Sequence, residues 1–184
     1  MHLPQRRSIR LKDYDYSSPG EYFVTICTHQ RECLFGEIVE GEIRFSPMGE
    51  IANRGWREIP AHFPHVELDE YVIMPNHVHG IIVICPTVGV HHDEPLRKHS
   101  FQHTIPQSLG SIVRAYKGAV SRECRKCGFE VFQWQRNYYE HIIRNEKDLN
   151  NIRDYIVNNP MKWIEDEVNP VRMIKINNTA EGRV

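Results

Sequence analysis

The sequence has no long hydrophobic run: its longest apolar stretch, Gly80 to Cys85, falls far short of the roughly 20 residues that a bilayer-spanning helix needs. No membrane span is expected, and an N-terminus that opens on His, Pro and Arg does not read as a secretory leader. Excess charge is lacking too. With 23 basic against 24 acidic residues, the overall balance carries no electrostatic signature of a nucleic-acid partner. Cysteine is scarce and odd in number, at five, and Cys27 and Cys85 lie in apolar, strand-like runs where a small buried thiol is ordinary. No disulfide framework follows, and a reduced, cytoplasmic setting is expected. No Gly/Ser-rich or Pro-rich linker divides the 184 residues. One domain is therefore expected over 1–184, with a basic N-terminal segment (about 1–18) and a short C-terminal tail (about 165–184).

What is present can build a core: 40% of the residues are hydrophobic, among them three tryptophans, eight tyrosines and seven phenylalanines. Charge is neutral in sum but uneven in place. Arg6, Arg7, Arg10 and Lys12 crowd the start, Arg114, Lys117, Arg122, Arg125 and Lys126 fall in one segment, and Glu165, Asp166 and Glu167 make the end acidic. The middle cluster is equally the pattern of a solvated helix face.

Residues 21–29 are rich in aromatic and β-branched types and predict a strand, and 33–45 predict a hairpin turning at Glu40-Gly41. Ser46-Pro47 supplies an N-cap and a first-turn proline for a helix that should stop before Pro60. Residues 66–74 and 77–84 predict a second hairpin about Pro75-Asn76. The stretch 86–106 has no apolar period and predicts a surface loop before an N-cap at Ser108 and a helix over 109 to about 126. A strand around 137–143 and a helix over about 146–158, capped by Asn145 and limited by Pro160, complete the series. Strands that neighbour one another in sequence favour an antiparallel sheet, so the expected class is α+β, a ferredoxin-like sheet with helices packed on one side.

His77 and His79 are separated by one residue, so on a strand both imidazoles leave the same face while Val78 packs behind. Two readings stand on this spacing alone: a pair of metal ligands awaiting a third from elsewhere in the fold, or two strand histidines that bind nothing. Tyr155 and Asn159 lie four apart, which on a helix places a phenol and a carboxamide on one face, one turn apart. A phenol has a pKa near 10 and attacks poorly when protonated, so a phosphoryl-transfer role requires a cation or base beside it. Periodicity alone would make Tyr155 a helix core aromatic.

The run YVIMPNHVHGIIVI (71–84), together with RNYYEHIIRNEKDLNNIRDYIVNNPMKW (136–163) and RRSIRLKDYDYSSPGEYFVTICTHQR near the start, resembles the REP-associated tyrosine transposases. These are relatives of small insertion-sequence transposases that carry an HUH motif and one catalytic tyrosine. The resemblance spans most of the chain. It implies an HUH nuclease domain in which His77 and His79 match the HUH pair, Tyr155 the nucleophile and Asn159 the third metal ligand, where the wider class carries glutamine. It further implies Mg2+ or Mn2+ as cofactor, cleavage of single-stranded or hairpin DNA through a 5′-phosphotyrosine with release of a 3′-hydroxyl, and room for a homodimer. Arg7, Arg10, Arg114 and Lys117 are the candidates for meeting phosphates. Tyr138 and Tyr139, on the strand before the last helix, read as core residues or as a platform for unpaired bases rather than as the nucleophile.

Other signals carry less. Cys124 and Cys127 form a CxxC without a second ligand pair at useful spacing, and His91, His92, His99 and His103 sit in the long loop. A histidine-triad hydrolase would need a third histidine where Ile81 stands. The remaining alternative is a domesticated relative that holds hairpin DNA without cutting it.

Overall fold

A computed structural model describes residue 11, residues 14–86 and residues 105–163. Its core repeats one unit twice, a strand, a helix and a strand. The first unit is β1 (Gly20–Cys27), α1 (Pro47–Arg57) and β4 (Val66–Met74), and the second is β5 (His77–Ile84), α3 (Leu109–Lys126) and β6 (Tyr139–Ile143). The four strands form one sheet in the order β4-β5-β1-β6, with every neighbour antiparallel. This is the expected ferredoxin-like antiparallel sheet with helices, α1 and α3, on one side. The hairpin of β2 (Gly36–Val39) and β3 (Glu42–Phe45) is inserted between β1 and α1 and forms a small sheet of its own. Its turn has Glu40 at φ 55° and Gly41 at φ 83°, both left-handed, as a two-residue hairpin turn demands.

The helix starts are capped as their residues dictate. Gly49 N donates to Ser46 Oγ at 3.1 Å with Pro47 in the first turn, Ser111 N donates to Ser108 Oγ at 3.3 Å, and Asp148 N donates to Asn145 Oδ1 at 2.9 Å. The first helix stops before Pro60 as expected, and Pro60 also has a second effect. The first helix breaks at Glu58, and Pro60 opens a short second helix, α2 (Ile59–His62), because proline's missing N–H is harmless in a first turn. The last strand begins at Tyr139 rather than near 137. The expected loop at 86–106 lies almost entirely outside the described residues, as do the basic N-terminal segment up to Arg10 and the acidic tail.

Alternation along the central strands divides the molecule into two cores. Tyr22, Val24 and Ile26 of β1 with Val78, Ile82 and Ile84 of β5 face α1 and α3, where Trp56 and Tyr116 fill the interior. Phe23 and Ile81 face the opposite way and meet Ile143 and the last helix, α4 (Glu146–Asn158), through Leu149 and Ile156. The sheet therefore carries α1 and α3 on one side, and α4 across the other.

Candidate active site

The α4 side of the sheet receives the odd-numbered residues of β1 and β5. In the register of this pair Thr25 stands opposite His79 and Cys27 opposite His77, and the two imidazole centroids are 4.3 Å apart. Val78, between them, belongs to the other core.

His77 is fully buried and its protonation is set by its neighbours. Asn76 Nδ2 donates to the Arg31 carbonyl at 2.9 Å, which turns Asn76 Oδ1 towards His77 Nδ1, 2.8 Å away. An amide oxygen only accepts, so the proton sits on Nδ1 and the lone pair on Nε2, the tautomer that a metal ligand requires. Burial, aided by the charge of Arg31, lowers the His77 pKa from 6.5 to about 3, so the ring is neutral at physiological pH. Asn76 was legible only as a turn residue, and the structure shows how firmly it is held. Thr28 N and Thr28 Oγ1 both donate to its carbonyl, at 2.9 and 3.0 Å, while Phe35 N donates to the Pro75 carbonyl at 2.8 Å. The Arg31 carbonyl reaches it from a turn with Gln30 at φ 52° and Arg31 at φ 58°. Left-handed non-glycine residues each cost on the order of 1 kcal/mol or more and persist where surrounding structure over-determines them.

His79 bridges two partners. Its Nδ1 lies 2.9 Å from Thr25 Oγ1 and its Nε2 lies 3.1 Å from Tyr155 Oη, while its ring stacks on Phe23 at 5.3 Å. The phenol is the more acidic partner, so its O–H donates to Nε2 and Nδ1–H donates to Thr25. Phe23 is the hub beneath this arrangement, meeting the rings of Tyr155 at 6.1 Å and Tyr139 at 6.4 Å edge-on.

Asn159 caps α4, one turn after Tyr155, and is only 2% exposed. Four residues before it Tyr155 touches His79, and four residues after it the ring of Trp163 lies 6.0 Å from that of His77. Its Oδ1 is buried and has no hydrogen-bond partner among the described residues. Such an orphaned acceptor costs about 1–3 kcal/mol, a cost that a cation at this point would remove. Imidazole nitrogens and an amide oxygen are donor types that suit a divalent ion, so the residues are chemically compatible with the implied metal. Among the described residues no three His, Cys, Asp or Glu side chains gather into a group that could hold a metal ion.

Neither Arg153 nor Asp69 stood out in the sequence, yet they hold α4 over the sheet. Arg153 Nε donates to Asp69 Oδ1 at 2.9 Å and Nη2 to Asp69 Oδ2 at 2.5 Å, a two-pronged ion pair only two residues before Tyr155. Asp69 lies where the β4–β5 register shifts between Leu68 and Tyr71, an irregularity that the residue pattern did not signal. The Arg153 guanidinium holds the Asp69 carboxyl below its usual range. Glycine explains another close approach: a Cβ on Gly80 would stand 2.3 Å from Trp56 Cζ2, so the residue after His79 must be bare for the indole to pack.

The other candidates lie apart from this cluster. Arg114 is exposed on α3, in the layer across the sheet from Tyr155. The Lys117 ammonium donates to the carbonyls of Gln135 (2.6 Å) and Asn137 (3.4 Å), and burial lowers its pKa to about 8. Arg7 and Arg10 fall outside the described residues, as do His91, His92, His99 and His103. Tyr139 is 46% exposed and half faces solvent beside Phe23. Cys124 is buried against the α1–α3 core and Cys127 is exposed.

Comparison with models of known protein families returns no match. A Haemophilus influenzae protein named only as uncharacterized is 47% identical over 170 residues, covering 90% of this chain and 94% of that protein. A second Haemophilus influenzae protein, provisionally named REP-associated tyrosine transposase, is 26% identical over 154 residues, 80% of this chain and 74% of its own length. Among solved structures, a REP-associated tyrosine transposase bound to a REP hairpin superposes with a TM-score of 0.56 at 22% identity, over 84% of this chain and 73% of that one, a likeness of fold. The chain is thus a relative, at weak identity, of proteins named REP-associated tyrosine transposase, and it shares their ferredoxin-like architecture.

Proposed function

We propose that this protein is a metal-dependent single-strand DNA endonuclease and strand transferase that acts at hairpin DNA, with Tyr155 as nucleophile and His77, His79 and Asn159 as the ligands of Mg2+ or Mn2+. The observation that carries this reading is the 3.1 Å contact of Tyr155 Oη with His79 Nε2. It brings the last helix across the histidine-bearing strand and joins residues 76 positions apart in one site. The hairpin substrate is taken from the relatives, one of which was solved with a REP hairpin.

Each residue has a chemical task. Asn76 and Thr25 orient the imidazoles through Nδ1, which leaves Nε2 of each ring to face the site. When bound, the cation polarises the scissile phosphate and offsets the charge that develops on it. Tyr155, 45% exposed, is accessible to a strand lying on the α4 side. Its Oη bonds to phosphorus as the P–O3′ bond breaks, and the phenol proton passes through water to the departing oxygen, which leaves as a 3′-hydroxyl. Attack of a 3′-hydroxyl on the phosphotyrosine reverses the exchange and joins strands without another energy source. Burial of the histidines among Phe23 and Trp163 keeps the ligand side dry, which strengthens their hold on a cation. Arg114, with Arg7 and Arg10, is assigned to phosphates away from the reacting atoms.

The decisive test incubates the full chain with end-labelled hairpin DNA carrying a single-stranded flank, in Mn2+, and looks for a protein–DNA adduct that survives denaturation. The adduct is expected with wild type and not with Tyr155→Phe. Hairpin binding without any adduct would instead identify a domesticated binding module, and an adduct on Tyr155→Phe would move the nucleophile elsewhere.

A further inference from the structure

We propose that Tyr155 guards the metal site as well as serving it: its hydroxyl and the divalent cation claim the same atom, His79 Nε2, so that binding of the cation displaces the phenol and frees it to meet DNA. This inference rests on the ligand assignment made above and concerns how the site is regulated.

A neutral imidazole nitrogen has one lone pair, directed outward in the ring plane, and it serves one partner at a time. Tyr155 Oη occupies that direction at 3.1 Å. A Mg2+-sized ion sits about 2.1 Å from its ligand atoms, which along the same line would leave it roughly 1 Å from Oη. The two cannot coexist there. His79 cannot offer its other nitrogen, because Nδ1 is committed to Thr25 Oγ1 at 2.9 Å, on the neighbouring strand. The phenol is the partner with somewhere to go. It is 45% exposed, and a change of side-chain rotamer carries it into solvent while Arg153 and Asp69 keep the helix itself in place.

Coupling of this kind is reciprocal. Without a cation the nucleophile is tied to a ligand nitrogen, and with one it is released beside the phosphate that the cation orients. The hydroxyl that performs the reaction then weakens, rather than strengthens, the affinity of the DNA-free protein for metal.

The experiment is a Mn2+ titration of the full chain without DNA, with free Mn2+ read by electron paramagnetic resonance. Tyr155→Phe and Tyr155→Leu, which both lack the hydroxyl, are expected to bind about 2- to 10-fold more tightly than wild type, the scale of one neutral hydrogen bond. His79→Ala should lose binding in each background, and Val157→Ala, on the exposed outer face of the same helix, should leave it unchanged. If wild type binds Mn2+ through His79 but both Tyr155 variants bind equally or less well, the competition is overturned and the ligand assignment stands. If neither wild type nor variants bind, or if His79→Ala binds like wild type, the ligand assignment fails and takes the competition with it.

Discussion

The two faces of the central sheet are built from alternate residues of the same strands and differ in kind. The face under α1 and α3 is broad and apolar, with Trp56, Tyr22 and Phe35 fully buried in it. The face under α4 has a smaller apolar patch of Phe23, Ile81, Ile143, Leu149 and Ile156, with Val72, Val83 and Ile152 packed against it, and beside that patch stand His77, His79 and Thr25 with Tyr155 above them. One face holds the fold together, and the other spends its positions on polar groups that must be individually satisfied. A strand of period two lets a single sequence do both, because residues 77, 79 and 81 never compete with 78, 80 and 82 for the same neighbours.

That division can be broken from either side. Tyr155→Phe is the largest effect expected, a loss of adduct formation of about 10³-fold or more, since the covalent nucleophile proposed above has no substitute. Its stability should stay within about 1 kcal/mol of wild type because the side chain is half exposed. Trp56→Ala should do the opposite, costing about 3–5 kcal/mol in denaturant unfolding by opening a cavity in the larger core, with the Mn2+ affinity of the surviving folded protein unchanged. Loss of metal binding in that variant would show that the faces are coupled through Gly80.

Acid should unlock the polar face first. A buried histidine whose pKa falls from 6.5 to about 3 is bound to fewer protons when folded than when unfolded. Its contribution to stability is complete above pH 6.5 and is lost as the pH drops through the window towards 3, about 2 kcal/mol between pH 7 and pH 5. Unfolding of the metal-free protein at those two pH values measures it, and His77→Gln should flatten the slope. The smallest effect is assigned to the clamp on α4. Asp69→Asn removes one charge of a partly exposed ion pair, with about 1 kcal/mol or less of stability lost. Adduct formation should slow several-fold, at unchanged affinity for hairpin DNA. A fall in DNA affinity instead would make Asp69 and Arg153 part of the binding surface rather than the support for Tyr155.

Local signals carried most of the fold. Ser46-Pro47, Ser108 and Asn145 mark three helix starts that the structure retains, and Glu40-Gly41 and Pro75-Asn76 mark both hairpins, because caps and tight turns are chemistry between residues a few positions apart. Pro60 marked the end of the first helix but not the short second helix that it opens, because a proline stops one helix and starts another by the same property. Of the site, the HxH pair and the Tyr155–Asn159 spacing were legible as periodicities of a strand and a helix. Asn76, Thr25 and Phe23 were not, since their parts depend on who stands opposite them: Thr25 faces His79 only through strand pairing, and Asn76 turns to His77 only because the Arg31 carbonyl arrives from a distant turn.

The sequence by itself thus determined which elements form and which side chains share a face, because periodicity, capping and turn geometry act over one or two turns of chain. Tertiary structure alone decided that α4 crosses the side of the sheet opposite α1 and α3, that Tyr155 ends on His79 and that Asn159 is buried with an unsatisfied oxygen. Those outcomes follow from the packing of Leu149 and Ile156 on Phe23 and Ile81 and from the Arg153–Asp69 pair, contacts between residues 68 to 133 positions apart that no local pattern encodes.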